Sequence, residues 1–157
     1  AQVNINRQLE MILKRLRPIA KRGNVELILE SMREVTADVD EVKISLAITN
    51  LVENAIKYNV DSGWVRVTLD ADHKYFYIKV ADSGIGIPED ALDHIFDRFF
   101  RVDKARSRES GGTGLGLSIA KEIIDRHEGT IELVDRSGPG LTVRITLLVE
   151  GPHHGRE

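Results

Sequence analysis

The chain has 157 residues, of which 41% are apolar and 30% charged, a balance typical of one globular domain with its own core. Its formal net charge of −3 provides no overall basic field, so we expect no nucleic-acid partner. The absence of cysteine excludes disulfides and thiolate metal sites, and the apolar runs are shorter than a membrane span. We predict one domain over residues 1–150 and a frayed tail at 151–157.

The first half of the chain combines helical and strand patterns. Apolar residues at helical spacing predict a helix over 4–22, which Pro18 bends or ends. A second long helix is predicted over 41–58, with Asp38 or Asp40 as its cap. Period-two alternation predicts three strands, at 25–30, 65–69 and 76–80.

The second half begins with a proline-led turn of helix and ends in strands. Pro88 starts a short helix that runs to about residue 95. Residues 101–113 are polar and glycine-ended, which predicts a mobile loop. A helix over 115–129 is stopped by Gly129. Two closing strands follow, at 131–133 and 141–149.

This order of elements predicts an α+β fold. Neighbouring strands joined by short turns pair antiparallel, and their alternation leaves one face of the sheet covered and the other wetter. About three amphipathic helices are available to cover that one face. We therefore predict a two-layer α/β sandwich with a mostly antiparallel sheet.

The 41–58 helix carries a row of polar side chains opposite its apolar side. Asn50, Asn54 and Lys57 fall within roughly 60° of one another when each residue turns the helix by about 100°. An asparagine carbonyl suits Mg²⁺, a lysine neutralises phosphate, and Tyr58 offers a flat face for a base. The alternative is a helix face that is merely solvated.

Two glycine clusters follow. In "VADSGIGIPED" (80–90), Asp82 ends a strand, and the missing side chains after it allow a ligand close to the backbone. In "GGTGLGLS" (111–118), glycines lead into a helix whose amino end favours phosphate. The second cluster matches neither a P-loop nor a dinucleotide-binding fingerprint. Taken singly, the first cluster favours a tight turn with a capping aspartate, and the alternative for the second is a flexible hinge with a helix cap.

Four motifs in fixed order resolve this ambiguity. They are "NLVENAIKY", "DSGIGIP", "IFDRFFRVD" and "GGTGLGLSIAKEI". Together they resemble the N, first glycine, F and second glycine boxes of the catalytic ATP-binding domain of bacterial sensor histidine kinases. The resemblance covers residues 4–149 and implies the Bergerat-type fold of the superfamily that includes DNA gyrase, Hsp90 and MutL.

The resemblance implies ATP and Mg²⁺ as cofactors and assigns roles along the N box. Asn54 would ligate Mg²⁺, with Asn50 close to the phosphates and Lys57 on phosphate oxygens. Tyr58 would lie near adenine, and Asp82 would accept a hydrogen bond from the adenine amino group.

The other implied site residues lie in the later boxes. Arg101 would reach the γ-phosphate, and residues 102–113 would form a lid over the nucleotide. The remaining implied nucleotide contacts are Gly84, Gly86, Ile87, Gly112, Thr113, Gly114, Leu115 and Gly116.

The resemblance further implies transfer of the γ-phosphoryl group to a histidine on a separate dimerisation domain, with a response regulator downstream. No segment of this chain resembles the phosphoacceptor segment, and we assign the five histidines, among them His127, surface or capping roles. The resemblance implies a monomeric fragment in the cytoplasm and leaves open whether the parent protein is anchored in the inner membrane.

Two alternative functions remain. The first is an ATP hydrolase like gyrase or Hsp90, but those relatives carry a general-base glutamate where this chain has Asn50. Glu53, next to Asn54, stays a candidate for that base. The second alternative is a non-catalytic nucleotide-sensing module, which the presence of all the expected site residues disfavours.

Overall fold

The computed structural model describes residues 1–84, 117–135 and 140–150 of the chain. The helices in these ranges are α1 (Ile5–Arg22), α2 (Glu41–Lys57) and α3 (Leu117–Arg126). The strands are β1 (Gln2–Asn4), β2 (Val25–Ser31), β3 (Thr36–Asp38), β4 (Gly63–Ala71), β5 (Tyr75–Asp82), β6 (Thr130–Asp135) and β7 (Thr142–Leu148). The predicted short helix after Pro88, the 101–113 loop and the 151–157 tail lie outside the described residues.

Five strands form one sheet in the order β2-β4-β5-β7-β6. The β4–β5 and β6–β7 pairs are antiparallel, as their short connections predicted, and β5 pairs antiparallel with β7. Strands β2 and β4 are parallel because the chain crosses over through α2 between them. The sheet is therefore mixed and mostly antiparallel, as expected.

The three helices cover one face of this sheet. Helix α1 packs on β2, α2 packs on β4 and β5, and α3 packs on β6 and along α2. Alternate residues of β4 (Val65, Val67 and Leu69) are fully buried beneath them, whereas Arg66 faces solvent. Burying each such aliphatic side chain contributes about 1.5–3 kcal/mol, so this interlayer core holds the fold together. The predicted two-layer sandwich is confirmed.

Local details differ from the sequence pattern. Helix α1 continues through Pro18 to Arg22, with Pro18 on the exposed face. Asp40 caps α2, since its Oδ1 accepts a hydrogen bond from the Lys43 N–H at 3.1 Å. The β1–β3 pair was not predicted, because strands of three residues are too short to show alternation.

Helix α3 ends at Arg126, three residues before the glycine expected to stop it. The His127 ring that follows is 8% exposed, so it is buried and not on the surface. Its Nδ1 lies 3.0 Å from the Ile123 carbonyl oxygen, and its Nε2 accepts a hydrogen bond from the Asp40 N–H at 3.2 Å. Because the ring caps α3 and holds the first residue before α2, it joins the two helices.

Within the three described ranges, no helix combines the length and the apolar composition that crossing a bilayer requires.

Candidate nucleotide-binding site

The carboxyl-terminal half of α2 carries the predicted polar row. Asn50 and Asn54 are half-buried and Lys57 is exposed, while the opposite side of the helix packs into the core. The Asn54 Nδ2 donates a 2.8 Å hydrogen bond to the Asn50 carbonyl oxygen. Since that bond uses the amide nitrogen, the Asn54 Oδ1 is the atom that the side chain offers to a ligand.

Asp82, the last residue of β5, has a carboxyl group in a partly desolvated position. Burial raises the pKa of Asp82 from 3.8 to about 6, although hydrogen bonds from the Gly84 and Leu141 backbone partly oppose that rise. The Gly84 N–H donates to the Asp82 Oδ1 at 2.8 Å. A partly buried carboxylate costs stability even with these hydrogen bonds, and a donor group of a ligand at this strand end would offset that cost.

Gly84 brings the end of β5 against the end of α2. A β-carbon added there would lie 2.7 Å from the Tyr58 carbonyl oxygen and 2.8 Å from the Asp82 Oδ1. Both distances are shorter than a carbon–oxygen contact allows, so only glycine lets the two backbones approach this closely. The chain segments that carry Asn54 and Asp82 are therefore neighbours.

Side chains that the sequence analysis overlooked fasten this junction. The Ser83 Oγ accepts a 2.8 Å hydrogen bond from the Trp64 N–H and donates to the Asn59 Oδ1 at 3.1 Å. The Asn59 Nδ2 in turn donates to the Trp64 carbonyl oxygen at 2.9 Å. Ser83 lies within the motif "DSGIGIP" and Asn59 directly follows the motif "NLVENAIKY", and these positions are the signal that could have identified them.

Gly140 lies against the backbone of Asp82. It has a φ of +96°, and a β-carbon there would lie 2.2 Å from the Asp82 carbonyl oxygen. The Asp82 N–H also donates to the Leu141 carbonyl oxygen at 3.0 Å. The turn before β7 thus fixes the backbone that presents the carboxyl group.

The structure places Gly84, and with it Asp82, against Tyr58 at the end of α2, and the other predicted members Asn50, Asn54 and Lys57 lie in the last turns of that helix. The remaining members of the predicted site lie outside the described residues: Gly86, Ile87, Arg101, Gly112, Thr113, Gly114, Leu115 and Gly116.

The described part of the site suits a magnesium nucleotide. An uncharged amide oxygen at Asn54 is a hard ligand that Mg²⁺ accepts beside phosphate and water oxygens. The exposed Lys57 ammonium lies one helical turn away on the same row. A carboxyl group at Asp82 can accept a hydrogen bond from an exocyclic amine, and the absence of a side chain at Gly84 leaves room beside it.

Comparison with known proteins identifies the class. Residues 39–151 match the family described as histidine kinase-, DNA gyrase B- and HSP90-like ATPases, and the chain belongs to this family. It is the histidine-kinase type of ATPase domain found in sensor kinases. It is 40% identical to the sensor histidine kinase WalK of Bacillus subtilis over 148 residues, which cover 92% of this chain and 24% of WalK.

Solved structures agree with this assignment. The nucleotide-free catalytic domain of histidine kinase ThkA matches with a TM-score of 0.83 and 27% identity, covering 96% of this chain and 97% of that domain. ThkA in complex with the response regulator protein TrrA matches with a TM-score of 0.79 and 24% identity, covering 95% of this chain and 41% of that chain. The chain spans about a quarter of the length of WalK, so the fold and family describe one domain.

Proposed function

We propose that this domain binds Mg-ATP between the carboxyl-terminal half of α2 and the end of β5, and transfers the γ-phosphoryl group to a histidine on a separate phosphoacceptor domain. The observation that carries the proposal is the Gly84 junction, which sets the Asp82 carboxyl group beside the end of the Asn54-bearing helix. Family membership and the relatives named sensor histidine kinases support it.

Asp82 orients the adenine end of the nucleotide. Its carboxylate accepts a hydrogen bond from the adenine amino group, and a charged acceptor makes that bond stronger than a neutral one. The Gly84 and Leu141 backbone N–H groups hold the Asp82 carboxylate in place. Because the side chain is already ordered, nucleotide binding costs little of its conformational entropy. Tyr58, half-buried at the end of α2, lies against the base.

The α2 row holds the phosphate end. Asn54 ligates the metal through Oδ1, Asn50 lies next to the phosphates, and the Lys57 ammonium neutralises phosphate oxygens. The chemistry that a bound Mg²⁺ would supply here is neutralisation of the negative charge on the phosphate oxygens during transfer. Arg101 and the glycine-rich residues 112–116 complete the site in this proposal, with Arg101 on the γ-phosphate and the glycine segment excluding water.

Transfer to a protein histidine is favoured over hydrolysis because α2 presents an amide at position 50, where a carboxylate would be needed to activate water. The acceptor histidine lies on another domain of the parent kinase, and a response regulator receives the signal. The complex of ThkA with TrrA supports the second partner.

The binding step is tested by calorimetric titration of Mg-ATP into wild type, Asp82→Ala and Asp72→Ala. Asp72 is a matched control: it also accepts backbone hydrogen bonds, from Lys74 and Tyr75, but lies in the turn between β4 and β5. We expect Asp82→Ala to lose about tenfold or more in affinity and Asp72→Ala to bind as wild type. Equal affinities in all three proteins would refute the adenine role.

The transfer step needs an acceptor. Wild type and Asn54→Ala are incubated with radiolabelled ATP and a separately purified phosphoacceptor domain of a sensor kinase, and acid-labile phosphohistidine is measured. We expect label on the acceptor with wild type and its loss with Asn54→Ala. Steady release of inorganic phosphate without labelling would instead favour a hydrolase, and tight binding with neither product would favour a nucleotide sensor.

A further inference from the structure

Helix α1 concentrates positive charge in an otherwise acidic domain. It carries six of the 22 cationic side chains and one of the 25 acidic ones, a net of +5, which leaves −8 on the other 139 residues to give −3. Its first turn contains no acidic residue, and Arg7 lies there, at the positive end of the helix. A cation at that end of a helix is unfavourable, so the helix dipole does not explain why Arg7 is there.

The cations of α1 lack carboxylate partners among the described residues. Elsewhere among the described residues, five of the nine lysine and arginine side chains each lie within 4 Å of a carboxylate, and these are Arg33, Arg66, Lys121, Arg126 and Arg144. On α1 even Lys14, one turn after Glu10, forms no such pair. Arg17 instead reaches the Leu27 carbonyl oxygen at 3.4 Å and repels both Lys14 and Lys21 along the helix.

The exposed cations follow a seven-residue spacing. Arg7, Lys14 and Lys21 form one column along the outer face, and Arg15 and Arg22 form a second. Between the columns lie two exposed residues that are also seven apart, Met11, which is 57% exposed, and Pro18. Together these seven residues form a stripe about 23 Å long, which we call the α1 stripe.

An apolar line flanked by two cationic columns matches the surface of a partner helix. A helix with an apolar seam and acidic residues on both sides of it presents the complementary pattern at the same spacing. Arginine, which supplies three of the five cations, pairs with carboxylates through two parallel hydrogen bonds, and methionine and arginine are typical of protein interfaces.

An anionic membrane fits less well. The helix has no Trp, Tyr or Phe to anchor in a bilayer interface. A bilayer is also a plane that extends far beyond the stripe, and it would face the −8 charge of the remaining chain. Screening over about 10 Å at 0.1 M salt lets a narrow partner engage the stripe alone.

We propose that the α1 stripe is a docking surface for an acidic amphipathic helix of a partner protein. Helix α1 packs on β2, at the edge of the sheet, whereas the candidate nucleotide site lies between α2 and β5. A partner on α1 therefore leaves that site open, and this proposal stands independently of the proposed function.

The test uses a synthetic helical peptide of about three heptads, with leucine in its seam and glutamate on both sides. Binding is followed by backbone amide NMR at about 50 mM salt, where surface charge is weakly screened. The test variant is Arg7→Gln/Lys14→Gln/Lys21→Gln, and its control, Lys43→Gln/Lys74→Gln/Lys79→Gln, removes the same charge from exposed sites outside α1. A second variant, Met11→Glu, keeps every cation but places a carboxylate in the apolar line.

We expect the peptide to change amide chemical shifts within α1 of the wild-type protein. Its binding should be about tenfold weaker in the α1 triple variant and in Met11→Glu, and close to that of wild type in the control triple variant. Thermal melts establish that each variant is folded. Equal weakening in both triple variants, or shift changes outside α1, would overturn the proposal. It would also be overturned by no binding at millimolar peptide, or by binding only to vesicles containing about one-quarter phosphatidylglycerol.

Discussion

Replacing Asp82 with asparagine should stabilise the folded domain at neutral pH while weakening nucleotide binding. Burial raises the pKa of Asp82 from 3.8 to about 6, so the ionised group is disfavoured in the folded protein. A pKa difference of about two units corresponds to about 3 kcal/mol. Asparagine keeps an acceptor oxygen for the Gly84 and Leu141 N–H groups without the charge, so we expect a gain of about 1–3 kcal/mol.

The sign of the pH dependence follows from the same pKa. The folded protein holds the Asp82 proton more tightly than the unfolded chain, so this group favours the folded state below pH 3.8 and progressively loses that contribution as pH rises through about 6. The free energy of unfolding of Asp82→Asn should therefore exceed that of wild type by its largest amount above pH 7 and by only a small amount near pH 4.

The assay is urea unfolding of both proteins at about pH 7.5 and pH 4.5. The two proteins can be compared when the free energy of unfolding falls with urea concentration at the same slope in both. Asp72→Asn serves as a control of opposite sign, because hydrogen bonds from Tyr75, Tyr77 and Lys74 lower the pKa of Asp72 to about 2. Removing that charge should destabilise the protein at neutral pH. A wild type more stable than Asp82→Asn at pH 7.5, or a gap that does not change with pH, would refute the reasoning.

Three further substitutions probe the site and its supports. Gly140→Ala should cost about 1–3 kcal/mol in urea unfolding, because φ is +96° and the new carbon meets the Asp82 carbonyl oxygen; unchanged stability would mean that this turn moves freely. Asn54→Ala should remove most of the affinity gain that Mg²⁺ gives ATP in titrations with and without EDTA, and a retained gain would place the metal elsewhere. His127→Leu removes the partner of the part-buried Asp40 N–H and should cost about 1 kcal/mol from that hydrogen bond, whereas His127→Gln should recover part of it. Equal stability of the two variants would show that the hydrogen bond contributes little.

The sequence predicted the layers of this fold because its periodicities are strong. Alternation in β4 and β5 and the apolar side of α2 set what is buried, and the structure follows them. It did not predict β1 or β3, since three-residue strands carry no usable period. Their pairing depends on tertiary contacts, such as the hydrogen bond from the Asp38 N–H to the Val149 carbonyl oxygen.

The candidate site was predictable in its residue types and not in its supports. The spacing of Asn50, Asn54 and Lys57 on one helix follows from helical geometry alone. The role of Gly140 could not be inferred in this way, because it lies 58 positions after Asp82 and only the folded sheet brings them into contact. Ser83 was hidden for a similar reason, since its hydrogen-bond partners Asn59 and Trp64 come from the turn after α2 and from β4.

We propose that the end of α2 and the end of β5 form one site for a single magnesium nucleotide. The decisive experiment is a crystal structure of this domain with Mg²⁺ and a non-hydrolysable ATP analogue. We expect the metal on the Asn54 Oδ1 and the adenine amino group within hydrogen-bonding distance of the Asp82 carboxylate of the same molecule. A nucleotide bound elsewhere, or one that touches Asp82 while the metal lies away from Asn54, would contradict it.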